Sequence, residues 1–114
     1  MKFKTTHHGT VTAIQVQGNL MGGPDAATLN EKLHTTVAAG KNLVVVDLSE
    51  VDIMNSSGLS ILIAGAGLVK NAKGRLVLAG ASPKIASLFK ITKLTQLFDQ
   101  YATVEEAVTA LKKK

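Results

Sequence analysis

Hydrophobic positions along this chain change period several times, and the changes divide it into elements. Residues 2–8 and 11–17 alternate as two strands around Gly9–Thr10, with Ile14 and Val16 on one face and Gln15 and Gln17 on the other. The period then lengthens: Leu29, Leu33 and Val37 recur at i, i+4 and i+8, one apolar stripe of a helix. Pro24 suits the first turn of that helix, Asp25 its positive end, and Gly40 its close. Leu43–Leu48 is a valine-rich run broken only by Asp47, the pattern of a central strand covered on both faces. Ser49–Met54 reads as a short acidic loop anchored by Val51, Ile53 and Met54, and it ends in Asn55–Ser56–Ser57–Gly58.

From Ser57 the helical period returns through Leu59, Leu62, Ile63, Ala66 and Val69. Gly65 and Gly67 inside this helix each cost about 1 kcal/mol relative to alanine, which close packing on the sheet would offset. Lys73–Gly74 closes the helix and Leu76–Ala79 is the next strand. Ser82–Pro83 supplies a cap and first turn for a helix presenting Ile85, Leu88 and Phe89. Leu97–Phe98 reads as a last edge strand, and the capping box Thr103–Glu106 opens a final helix with Val104, Ala107, Val108 and Leu111 inward. The order β-β-α-β-α-β-α-β-α predicts an α/β fold: a mixed, largely parallel sheet of four to five strands with four helices, its hairpin adding the antiparallel strand. No repeat or linker interrupts it, so residues 1–114 read as a single domain.

Composition narrows the function. Hydrophobic residues make up 46% of the chain and are spread evenly, which opposes disorder. No apolar run approaches ~18 residues and no charged-then-apolar leader is present, so a soluble cytoplasmic protein without a membrane role is expected. The absence of cysteine excludes disulfides and thiol chemistry. The net charge of +5 invites a nucleic-acid reading, but the basic residues are scattered singly apart from Lys112–Lys114, and aromatics for base stacking are few. No direct nucleic-acid contact is expected. A mildly cationic face for a protein partner accounts for the charge.

Candidate chemistry is sparse. His7 and His8 are adjacent on a strand, point to opposite faces and cannot chelate one metal. Gly18–Gly23 holds three glycines but no Lys-Ser/Thr pair follows, so it reads as a strand-to-helix connection rather than a phosphate cradle. Asp47, Glu50 and Asp52 bunch near Ser56, yet the acidic pair that a phosphoacceptor aspartate needs in an earlier loop is missing, as is Gly-x-Ser-x-Gly. No enzyme, metal or bound cofactor is expected. What stands out is two hydroxyls, Ser56 and Ser57, at a helix N-terminus beyond the C-terminal end of a sheet strand, the usual functional edge of open α/β folds. Ser56 reads as the helix cap, and a phosphoryl group there is compatible with the fold because helix N-termini attract anions. Capping alone and a phosphorylation switch both remain open on this evidence.

The stretch Val46-Asp-Leu-Ser-Glu-Val-Asp-Ile-Met-Asn-Ser-Ser-Gly-Leu59 resembles the signature of STAS domains, specifically bacterial anti-sigma factor antagonists. Gly18–Asn19–Leu20, Ala81–Ser82–Pro83, Leu88–Phe89, Leu94 and Leu97–Phe98 add to the likeness, which covers nearly the whole chain. The resemblance implies a βα superhelix and a partner-switching role. The unphosphorylated form would bind an anti-sigma factor that is also a serine kinase, freeing the sigma factor. Phosphorylation of Ser56 would end the complex, and a metal-dependent serine phosphatase would restore it. ATP would be held by the kinase, leaving this chain no cofactor. Partner contact would involve Asn55, Ser56, Ser57 and Gly58, with Met21, Gly22 and Gly23 in the glycine-rich loop. Asn55 stands where the family usually has an aspartate, keeping its hydrogen-bonding shape without the charge. Two alternatives accompany this reading: a non-switching STAS module partnering a transporter, and a small-molecule or nucleotide-binding domain.

Overall fold

The computed structural model describes residues 2–20, 24–91 and 99–112. Strands β1 (Lys2–His8) and β2 (Val11–Leu20) form the antiparallel hairpin, and Gly9 takes the positive φ of +67° that its turn requires. Helix α1 (Pro24–Ala38) leads to β3 (Leu43–Met54), α2 (Ser56–Asn71) to β4 (Arg75–Ala79), and α3 (Pro83–Ile91) precedes β5 (Gln100–Tyr101) and α4 (Val104–Lys112). The five strands lie in chain order, β1-β2-β3-β4-β5, and every pair after the hairpin is parallel. The expected mixed, largely parallel sheet with four helices is therefore the observed one.

Topology explains which face each helix covers. Parallel strands laid down in one direction, joined by crossovers of one hand, put all the connecting helices on the same side. Accordingly Leu29 and Leu33 of α1, Leu59, Leu62 and Val69 of α2, and Ile85 and Phe89 of α3 share one core with Ile14, Val46, Leu48 and Leu78 of the sheet. Helix α4 follows β5 and, among the described residues, is the helix that covers the opposite face. Its Ala107, Val108 and Leu111 pack on Val11, Ala13, Val45, Val77 and Ala79. The sheet is thus buried on both faces, as the unbroken valine run of β3 requires.

Two expectations change, and a third lies outside the described residues. The acidic stretch Ser49–Met54 is the second half of β3, not a loop. Strand β3 runs 12 residues beside 10 in β2, because β3 advances three positions where β2 advances two, once between Gln15↔Asp47 and Gln17↔Glu50 and again between Gly18↔Val51 and Leu20↔Met54. Each extra residue reverses the in-out alternation. Leu48 is buried, Ser49 and Glu50 both face solvent, and Val51 is buried again; likewise Ile53 is exposed and Met54 is buried. Second, Gly18–Leu20 belong to β2 rather than to a loop, while Met21–Gly23 fall outside the described residues. Third, Leu97–Phe98 also falls outside them, and the last strand described is Gln100–Tyr101.

Gly65 does allow a close approach, but to a helix. A Cβ there would lie 2.6 Å from Leu33 Cδ1 of α1 and 3.9 Å from Leu76 Cδ1 of the sheet. Around Gly67 there is nothing within 4 Å. The Ser82 hydroxyl accepts from Ile85 N at 3.3 Å and so caps α3 as the sequence suggests. At α4 the Thr103 hydroxyl accepts from Glu106 N, while the Glu106 carboxylate reaches Ala102 N, one residue before the cap.

Candidate functional site

At the C-terminal edge of the sheet, β3 ends at Met54, Asn55 turns the chain, and α2 begins at Ser56. Asn55 has extended backbone (φ −101°, ψ −177°), and its side-chain Oδ1 accepts from Gly58 N at 2.8 Å while its carbonyl accepts from Leu59 N at 2.9 Å. Those bonds make Asn55 the N-cap. The expectation that Ser56 caps the helix is corrected: the cap lies one residue earlier, and Ser56 is the first helical residue. Asparagine and serine cap equally well, so the true frame was set by the length of β3 rather than by the residue type.

The site is electrostatically one-sided. The first turn of α2 contains no acidic residue, whereas its last turn contains Lys70. The positive end of the helix dipole therefore meets no compensating side chain of its own helix, and it favours an anion by ~0.3–1 kcal/mol. Ser57 is exposed and Gly58 is buried. Along α2, Ser57, Ile61 and Ala64 share one face, and Ile61 and Ala64 line a shallow groove of about 340 Å³ with Ala27 and Asn30 of α1. Strand β2 brings Leu20 opposite Met54 at this edge, and Met21, Gly22 and Gly23 fall outside the described residues.

Asp47 and Glu50 do not meet as a cation site at this edge. Asp47 is buried, with Oδ1 accepting from Ser49 N at 2.9 Å and Oδ2 from Gln15 Nε2 at 3.3 Å, while Glu50 faces solvent. Among the described residues no three His, Asp or Glu side chains gather as a metal site. His7 and His8 turn apart, His7 Nδ1 to Thr12 Oγ1 at 3.4 Å and His8 Nε2 to Thr6 Oγ1 at 3.1 Å. A groove of about 580 Å³ between β1 and α1 is lined by Thr5, His7, Glu31 and Lys41 among others. It opens at the opposite end of the parallel strands from Ser56. The helix N-terminus has the better claim, because charge and exposed hydroxyl coincide there.

The profile of the STAS domain matches residues 2–107. The chain belongs to the STAS domain family. An anti-sigma-B factor antagonist of Bacillus subtilis (strain 168) is 33% identical to this STAS domain over 96 residues, 82% of this chain and 87% of the relative. Among solved structures, an anti-sigma factor antagonist from Mycobacterium paratuberculosis matches with a TM-score of 0.84 at 26% identity, covering 97% of this chain and 93% of that one. The Bacillus cell fate determinant SpoIIAA, solved in its phosphorylated form, matches with a TM-score of 0.74 at 21% identity over 96% of this chain and 98% of that one, which shows the shared fold. No helix among the described residues of this STAS domain is long and apolar enough to cross a membrane.

Asn55, Ser56, Ser57 and Gly58 lie together at the start of α2, and Asp47, which the sequence places near Ser56, is held by Gln15, a partner the sequence reading did not single out. The available signal was an aspartate inside a valine run with a polar residue two positions on, the mark of a turn in which the side chain holds its own backbone.

Proposed function

We propose that this STAS domain is an anti-sigma factor antagonist whose binding is switched by phosphorylation of Ser56. The observation that carries the proposal is the cap. Because the Asn55 side chain satisfies Gly58 N, that amide needs no second cap, and Ser56 opens α2 as its first helical residue at an N-terminus with no acidic side chain in its first turn. In the unphosphorylated form the α2 N-terminus and the α1–α2 groove beside it would dock on an anti-sigma factor that is also a serine kinase, leaving the sigma factor free.

The switch follows from charge. The Ser56 Oγ–H attacks the γ-phosphorus of ATP held by the kinase, the bond to the β,γ-bridging oxygen breaks, ADP leaves, and the hydroxyl proton passes to a base on the kinase. About −2 of charge then sits at the helix end. The dipole of α2 tolerates it at no cost to the fold, but a surface fitted to the neutral hydroxyl does not, and the complex separates by repulsion and desolvation. A metal-dependent serine phosphatase would return the domain to its binding form. On this reading the chain is a cytoplasmic binding protein rather than an enzyme, and nucleotide belongs to its partner.

The test is phosphate incorporation with the cognate kinase and ATP, read by intact mass. Wild type and Ser57→Ala gain one phosphate, Ser56→Ala gains none, and Ser56→Asp binds the kinase more weakly than Ser56→Ala does. Incorporation by Ser56→Ala equal to wild type would sink the assignment.

A further inference from the structure

Among the described residues Asp47 is the buried charged group, 8% exposed, and it lies in the strand that leads to the switch. A carboxylate is costly to bury unless hydrogen-bonded, so its place in a valine strand needs a reason beyond packing. Both of its oxygens are engaged. Oδ1 accepts from Ser49 N at 2.9 Å; Oδ2 accepts from Gln15 Nε2 at 3.3 Å, and Gln15 Oε1 in turn accepts from Gln17 Nε2 at 2.9 Å.

These partners bracket the first extra residue of β3. Gln15 stands opposite Asp47 and Gln17 opposite Glu50, so the side-chain chain on β2 spans the irregularity while Oδ1 pins the backbone inside it. Asp47 is also the last β3 residue opposite β4, at Ala79. From there to Met54 the strand pairs, among the described residues, with β2 on one side only, and Asn55 follows. The exit of β4 closes on the same turn: Gly80 has a positive φ of +70°, and a Cβ on it would lie 3.0 Å from Asp47 Oδ1 and 2.9 Å from Ser49 Cβ. An apolar side chain at 47 would fill the strand but could not hold Ser49 N.

We propose that Asp47 is a positioning residue for the switch: by fixing the extra residue at Ser49 it sets the direction of the last stretch of β3, and so the placement of the Asn55 cap and of Ser56. Its functional consequence rests on the reading of Ser56 as phosphoacceptor; the positioning itself does not.

Two measurements on the full chain separate these layers. In amide hydrogen exchange, Asp47→Ala speeds exchange at Ser49 through Met54 and at Gly58 by about tenfold or more, leaving Val44–Val46 and Leu76–Leu78 protected as in wild type. Asp47→Asn keeps an oxygen for Ser49 N, and the Gln15 and Gln17 amides can rotate together, so that Gln15 Oε1 accepts from the new Nδ2 and Gln15 Nε2 donates to Gln17 Oε1, and it restores protection. With the cognate kinase, Asp47→Ala lowers kcat for Ser56 by roughly ten- to a hundredfold, the cost of a misplaced reacting group. Its KM stays near wild type, since Leu59, Leu62 and Val69 still seat α2, and Asp47→Asn restores kcat. Should Asp47→Ala not fold, Gln15→Leu, which removes only the partner of Oδ2, gives the same local pattern in weaker form. Unchanged exchange at Gly58 in Asp47→Ala overturns the proposal. So does a loss spread evenly into Val44–Val46, or a failure of asparagine to rescue. If wild type takes no phosphate on Ser56, the functional reading fails while the exchange result still decides the positioning.

Discussion

Replacing Asn55 with alanine removes one hydrogen bond and leaves one buried donor. Gly58 is buried, its N–H lies 2.8 Å from Asn55 Oδ1, and as a first-turn amide it has no intrahelical carbonyl to turn to. Loss of an N-cap side chain costs ~0.5–2 kcal/mol, and burial of the orphaned amide places this site toward the upper half of that range. At this chain length about 1 kcal/mol corresponds to a fall of roughly 4 °C in Tm. Asn55→Asp keeps the oxygen acceptor and adds a carboxylate at a helix end that has no acid of its own, a gain of ~0.3–1 kcal/mol at neutral pH. Because the helix end stabilises the charged form, that aspartate has a lowered folded-state pKa; its gain is present above the ordinary carboxylate value of about 4 and is lost as pH falls below it. Urea titration of wild type, Asn55→Ala and Asn55→Asp at pH 7 and pH 3 checks all of this. Wild-type stability in Asn55→Ala, or equal losses in both variants at pH 7, would refute the assignment of Asn55 as the cap.

Two glycines on α2 are expected to respond in opposite directions. Gly67→Ala meets nothing within 4 Å and should raise stability by about 0.5–1 kcal/mol through helix propensity, whereas Gly65→Ala drives a Cβ to 2.6 Å from Leu33 Cδ1 and should lose ~1–3 kcal/mol to overpacking, less the same propensity gain. Denaturation midpoints of the two variants give the signs directly. Arg75 and Asp99 form an ion pair whose side chains are 31% and 56% exposed, and the carboxylate raises the Arg75 pKa above its ordinary value. Such a pair is screened, so Arg75→Ala should cost about 1 kcal/mol or less, and the difference from wild type should shrink in 1 M salt.

What the sequence made legible was whatever repeats locally. The stripes of α1, α2 and α4 and the valine run of β3 each advertise a period, and the turn glycines Gly9 and Gly40 take the positive φ that their positions suggest. The grouping of Asn55 through Gly58 at a strand end was visible for the same reason. The rest depends on neighbours distant in the chain. The second half of β3 breaks alternation twice, so its acids imitate a loop until β2 is laid beside it. Gln15 reaches Asp47 across 32 positions of chain, and Leu33, not the sheet, is what Gly65 makes room for. The cap was misplaced by one residue because Asn55 and Ser56 are equally good acceptors and only the register of a bulged strand chooses between them.

The arrangement of three helices on one face and one on the other has a consequence for biosynthesis. The sheet strands β1 to β4 and their covering helices are complete by Ile91, yet Val11, Ala13, Val45, Val77 and Ala79 still await α4. A nascent or truncated chain that stops short of Val104 would show water an apolar stripe across three adjacent strands, the kind of surface that aggregates and that chaperones hold. The nine residues of α4 act as a latch: the apolar stripe on this face of the sheet is covered only when that helix has formed and closed over it.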